Sequence, residues 1–200
     1  MAYSDFTLST LQQRFDLTHQ RKRLFGEIKP LAPSEWLINA LKIAEELPIR
    51  SEKAKSELIV MPILLELRTQ NNKQFTIYSG ENLVADSEKG LNGECDFILT
   101  KDTRSFEIQA PILQVIEAKK NDVENGIAQC AAQLLGARIY NSKQQIDFPT
   151  LHGCITTGDD WLFIQLEQQL FIDTRKFYLG NLEQLLGAFQ SILDGYKNIP

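Results

Sequence analysis

Glu117 and Lys119 stand two residues apart at the end of an apolar run, Ile112 to Lys120 (ILQVIEAKK). Side chains alternate faces along a strand, so the acid and the amine project to the same side while Ala118 points away. Upstream, Asn92 to Thr100 (NGECDFILT) reads as a second strand, with Asp96 near its start and Cys95, Phe97 and Leu99 on the alternate face. Where two such strands pair, Asp96 and Glu117 offer hard oxygen ligands to Mg²⁺ or Mn²⁺. Lys119 is then a cation beside them, able to orient a water or stabilise developing negative charge. Those are the parts needed to hydrolyse a phosphodiester. The competing account is a salt bridge at a strand end. A second Glu-x-Lys, Glu27-Ile28-Lys29, serves as a control: it runs into Pro30, follows no alternating apolar strand and has no strand-borne acid before it.

These residues need elements to position them. Residues 1 to 30 form a polar lead-in, with a short helix around Leu8 to Phe15 and then a basic link, His19 to Lys29. After Pro33 and Ser34, the residues Trp36, Ala40, Ile43, Ala44 and Leu47 keep helical spacing, which predicts an amphipathic packing helix stopped by Pro48. A second helix starts near Ser51 and carries SEKAKSELIVMPILLELR, although Pro62 would kink it and Leu58 to Leu65 alone could pass for a strand. On this helix Glu57 shares a face with Ala54, Met61 and Leu64, so it is either an acid needing a partner at the site or flanking charge paired with Lys53.

A strand at Phe75 to Ser79 precedes the Asp96 and Glu117 strands, with Gly80, Gly90 and Gly93 in the loops. Asn121 or Asp122 caps a helix from Val123 to about Tyr140, packed through Ile127, Ala131 and Leu134. Gln129 and Gln133 lie four apart on it, close to the carboxylates. A glutamine there could hold phosphate, base or a ligating carboxylate, or be plain helix surface, the account favoured for Gln133. LHGCITT, WLFIQLE and LFIDT read as meandering antiparallel strands, and Leu182 to Tyr196 as a closing amphipathic helix. The pattern predicts an α/β fold with a central mixed sheet between helices.

Length and composition bound the answer. Two hundred residues at 43% hydrophobic content suit one domain spanning 1–200, divided into a helical lead-in (1–50), a core (51–165) and a closing strand and helix (166–200). The net charge of −5 argues against a basic arm or tail that coats nucleic acid, but leaves room for a local basic groove. Its candidate residues are Arg21, Lys22 and Arg23, then Lys101 and Arg104, then Lys119, Lys120, Arg138 and Lys143; each cluster is otherwise a solvated face. Cys95, Cys130 and Cys154 sit apart in apolar segments and read as buried reduced thiols. With only His19 and His152 beside them, a zinc site has little support. The amino terminus lacks a signal-peptide pattern, and no apolar run is long enough to span a bilayer, which leads to the expectation of a cytoplasmic protein that does not engage a membrane.

The order Glu57, Asp96 in a Gly-x-x-Asp setting after Gly93, Glu117-Ala118-Lys119 and Gln129 resembles the PD-(D/E)XK nuclease superfamily across about residues 51 to 165. Ile155 to Glu167 (ITTGDDWLFIQLE) resembles the strand, turn and strand that follow the active site in amino-terminal nuclease domains of type I restriction subunits. Phrases such as SEKAKSELI, GLNGECDFIL and APILQVIEAKKNDVENGIAQCAAQ also resemble a family of bacterial proteins with no assigned substrate. The chain departs from the superfamily pattern in having Cys95, not proline, before Asp96.

The resemblance implies a restriction-endonuclease-like fold and a metal-dependent nuclease acting on DNA, of restriction or repair type. Asp96 and Glu117 would ligate Mg²⁺ or Mn²⁺, and Lys119 would position the attacking water. Glu57 would be an auxiliary acid among the metal residues, hydrogen-bonding or ligating through water, and Gln129 would orient Lys119 or the substrate. A homodimer is compatible with this reading. The alternative from another class is an inactive module of the same fold that binds DNA or a protein partner.

Overall fold

The computed structural model describes residues 1–101 and 105–196. Its strands form one mixed sheet in the order β1-β7-β6-β5-β4-β3-β2, with β8 paired to β6. The elements are α1 (Leu8–Phe15), β1 (His19–Lys22), α2 (Glu35–Glu45), α3 (Glu52–Lys55), α4 (Met61–Gln70), β2 (Thr76–Asn82), β3 (Glu94–Thr100), β4 (Ile112–Ala118), α5 (Ile127–Lys143), β5 (Leu151–Thr156), β6 (Asp160–Leu166), β7 (Leu170–Asp173), β8 (Phe177–Tyr178) and α6 (Leu182–Tyr196). The fold is mixed α/β, with helices on both faces of the sheet. On one face α5 packs where Gly153 leaves room for Cys130 and Leu134. On the other, Phe189 of α6 meets Trp161 and Phe163 edge-on, and Tyr196 meets His152. Every residue of β4 is buried, as expected of a central strand covered on both sides. No helix among the described residues is long and apolar enough to cross a membrane.

The crossover from β4 through α5 to β5 positions the site. β4 and β5 are parallel neighbours, so α5 runs back along the sheet between them. Asn141, near the end of α5, is buried and grips the first residue of β4 twice: its Oδ1 accepts from Ile112 N–H (2.8 Å) and its Nδ2 donates to Ile112 C=O (2.9 Å). With that end pinned, the start of α5 lies over the other end of β4, where Glu117 is. Asp122 accepts from Glu124 N–H and caps a 3₁₀ turn, Val123–Gly126, that leads into α5.

Three expectations differ from what is observed. The basic link supplies β1, which pairs parallel to β7; its side chains are mostly exposed, so no apolar alternation marks it. The sheet thus draws strands from outside residues 51–165. In α2 the buried residues are Leu37 and Ala44, while Trp36, Ile43 and Leu47 are exposed. The helix is turned because Ser34, its cap, is held by buried Glu66 of α4, which accepts from Ser34 N–H (2.8 Å) and Oγ–H (2.6 Å). Pro62 neither breaks the helix nor makes a strand: Ser56–Val60 widens into a π turn between α3 and α4, with Met61 N–H bonding back to Ser56 C=O. That turn absorbs the backbone bond proline cannot make.

A methyl group at position 153 would lie 2.7 Å from Cys130 Sγ and 2.9 Å from Ile164 Cγ1. Gly153→Ala is therefore expected to lower stability by about 1–3 kcal/mol through overpacking, measurable by urea denaturation.

Candidate active site

β3 and β4 are antiparallel with Phe97 opposite Ile116, so one step along the ladder sets Asp96 opposite Glu117. The two carboxylates are cross-strand neighbours at one end of the sheet. Asp96 Oδ2 accepts from the backbone N–H of Ala118 (2.7 Å), which ties its strand to the residue between Glu117 and Lys119. Lys119 extends the pairing of β4 with β5 by donating its own N–H to Thr156 C=O (2.7 Å).

Glu117 is enclosed, with 4% of its side chain accessible against 19% for Lys119, so the amine is the partner that still reaches solvent. Glu117 Oε1 accepts from Lys119 Nζ (2.7 Å) and from Gln129 Nε2 (2.6 Å). Gln129 Oε1 in turn accepts from Lys119 Nζ (2.9 Å), closing a three-membered ring of donors and acceptors. An ammonium carries three N–H donors, and these contacts use two of them. Gly126 brings the helix entry against the stem of Lys119: a Cβ there would meet Lys119 Cγ at 3.1 Å and Ile155 Cγ2 at 2.5 Å. Glycine at 126 thus allows the close approach that aims the amine.

The structure brings Asp96, Glu117, Lys119 and Gln129 together, and adds Gln133. Gln133 is not helix surface: it is fully buried and donates from Nε2 to Glu117 Oε2 (2.7 Å). Both glutamines present donors to one carboxylate because they lie one helical turn apart on the face that covers β4. Glu57 does not reach the acid pair through the face it shares with apolar residues. It is exposed and pairs with Lys53 at 3.9 Å, because the π turn that starts at Ser56 shifts the angular phase of the residues around it. The acid that α3 directs toward the site is Glu52. Its Oε1 accepts from Lys120 N–H (2.9 Å), Lys55 Nζ donates to Lys120 C=O (2.7 Å), and its charge reaches Asp96. The sequence signal for Glu52 is its place one residue after the Ser51 cap, in the first turn of the helix.

A cleft of about 790 Å³ opens beside Asp96, lined by Arg50, Glu52, Lys53, Glu57, Glu94 and Lys120 among others. Of the proposed basic groove, Lys119 and Lys120 are at this end of the sheet. Lys143 and Arg138 are spent on the carbonyls of Ala85 and Leu166, and Lys22 lies over the Phe171 ring. Arg104 lies outside the described residues.

Burial pushes Glu117 up to about 7, with Asp96 adding to the rise and Lys119 opposing it. Asp96 is also raised, by burial first, against the pull of the Ala118 N–H and Lys119. The donor set suits a hard cation. Mg²⁺ retains several waters and is commonly held by one or two carboxylates together with substrate phosphates, so Asp96 and Glu117 are the residues here that could hold it. Among the described residues no group of three acidic, histidine or cysteine side chains gathers as a metal cage. Fold and site define a mixed α/β protein with a paired-carboxylate cluster and a lysine at one end of its sheet. Comparison of the chain with models of known protein families finds no match, and comparison with curated proteins finds none.

The raised acids set a direction for stability against pH. Between the ordinary Glu value of 4.5 and about 7 the folded chain holds more protons at Glu117 than the unfolded chain does, so the site's contribution favours folding at the acid end and is lost as pH rises through that window. His152, pushed down to about 4 by burial, acts with the opposite sign, so the site is read by comparing variants. Asp96→Asn keeps an acceptor for Ala118 N–H and removes one of the two charges. Without divalent ions its melting temperature is expected to exceed that of the wild type at pH 7.5, the gain shrinking toward pH 5.

Proposed function

We propose that the protein is a metal-dependent nuclease that hydrolyses phosphodiester bonds in DNA. The single observation that carries this reading is the cross-strand pair Asp96 and Glu117, both raised by burial, with Lys119 Nζ 2.7 Å from Glu117. A buried carboxylate and a half-buried one side by side repel each other and weaken the fold, and a divalent cation relieves that cost. A module that only bound DNA or protein would have no physical need of them. The PD-(D/E)XK resemblance supports the same assignment, with the acid pair and lysine on adjacent strands of a mixed sheet between helices.

In this reading Asp96 and Glu117 hold Mg²⁺ or Mn²⁺, which when bound supplies Lewis-acid polarisation of a phosphate oxygen. Gln129 and Gln133 fix the Glu117 carboxylate through its two oxygens. Lys119 directs its remaining N–H toward the attacking water or the charge that develops on phosphorus oxygens. Attack of water on phosphorus breaks the bond to the leaving oxygen, which takes up a proton as the water loses one. Glu52 holds the backbone of Lys120 and so sets the end of the Glu117 strand.

The deciding experiment incubates purified protein with plasmid DNA and Mg²⁺ or Mn²⁺. Wild type is expected to nick or linearise it. Lys119→Ala is expected to lose about 10²–10³ in rate while folding and binding Mn²⁺ normally, because the amine acts on transition-state charge. Lys120→Ala should mainly weaken DNA binding and its salt dependence. An active Lys119→Ala protein, or equal loss in both, would overturn the assigned roles. The two helix acids should also part: Glu52→Gln is expected to lower the cleavage rate, and Glu57→Gln to leave it within about twofold of wild type, since the exposed Lys53 pair contributes little.

A further inference from the structure

Two buried polar atoms near the site have no hydrogen-bond partner among the described residues: the phenol Oη of Tyr3 and the amide Oε1 of Gln133. Both belong to the same seam, between the start of β3 and the middle of α5. Tyr3 donates its N–H to Asn92 C=O (3.0 Å), and its ring lies against Gly93. Its Oη presses so closely on Gly136 that no Cβ would fit there. Gln133 is one turn earlier on α5 and touches the residue after Gly93, with Nε2 at 3.5 Å from Glu94 C=O. Helix positions three apart lie on one face of a helix with Cβ atoms about 5–6 Å from each other, so the phenol at Gly136 and the Gln133 side chain meet the same face of α5.

Buried polar atoms are rarely left unpaired, and a buried water with two or more polar partners is the usual means of pairing them. A phenol can donate and an amide oxygen only accepts, so a water between them accepts from Tyr3 and donates to Gln133. The two ends of a glutamine amide have nearly the same shape, and its hydrogen bonds decide which way round it sits. At Gln133 the choice has consequences: with Nε2 toward Glu117 it donates, and reversed it would set oxygen lone pairs against a carboxylate.

We propose that a buried water joins Tyr3 Oη to Gln133 Oε1, making Tyr3 a positioning residue that holds the Gln133 amide with its donor on Glu117. The effect on cleavage rests on the nuclease reading; the water and the amide orientation do not.

Tyr3→Phe tests this, since it keeps the ring against Gly93 and Gly136 and removes only the hydroxyl. High-resolution crystal structures are expected to show a water within hydrogen-bonding distance of both atoms in the wild type, and its loss in Tyr3→Phe. A dry seam, or Gln133 Oε1 on another partner, overturns the proposal whatever the activity. With plasmid and Mn²⁺, kcat is expected to fall on the order of tenfold in Tyr3→Phe while KM for DNA is unchanged, as for other groups that orient a metal-binding side chain. Gln133→Met should show the same split, and the double variant should be no worse than Gln133→Met alone. Additive losses, or an unchanged kcat in Tyr3→Phe, overturn the positioning role. A wild type that cleaves nothing overturns the nuclease reading instead, and the crystal structures then decide the proposal alone.

Discussion

The alignment of α5 along β4 is the constraint on which the rest of the structure depends. It is held at one end by Asn141, which takes both backbone groups of Ile112, and at the other by Glu117, which receives amide donors from Gln129 and Gln133. A slide of one residue along the helix would rotate these side chains by about 100° and break both ends at once. Because the contacts are polar and buried, a misaligned crossover leaves their atoms unpaired, and the penalty selects one register. The site is thus a product of the alignment of a helix with the strand before it, not of a local loop.

The cluster also shows how a protein holds an unfavourable charge arrangement. Asp96, half-buried, and Glu117, buried, face each other across a strand pair, which alone would weaken the sheet. Five groups offset it: the Ala118 amide, the Lys119 ammonium, the two glutamine amides, and the extension of β4 pairing to Thr156. All but one of these contacts come from β4 itself or from the helix that follows it. The chemistry and its support therefore lie close in sequence, between residues 96 and 156.

That closeness explains what was legible in the sequence. Alternation and spacing were enough to bring Asp96, Glu117 and Lys119 to one place, because two paired strands leave little freedom in where their ends meet. Gln129 followed from a helix that starts directly after the strand. Gln133 misled because a glutamine on a helix is most often solvated, and only the depth of α5 against β4 makes it buried. Glu57 misled for a different reason: face assignment assumes regular helical phase, and the π turn begins one residue before it. β1 carried no signal, since a strand at the sheet's edge can be charged throughout, and charge there discourages pairing with other chains.

The π turn has a consequence of its own. It works as a gear between two helical segments: α4 is geared to the core through Leu64 and Leu67, and α3 to the backbone of Lys120 through Glu52 and Lys55. A regular helix would need one residue fewer for the same length, so winding Ser56–Val60 regularly with every residue kept would turn α3 by about 100° against α4. The two side chains that hold Lys120 would then swing away together while the buried face of α4 stayed in place. The extra residue is thus a phase setting, and it lets a proline-bearing core helix end in a turn that serves the opposite end of the sheet's central strand.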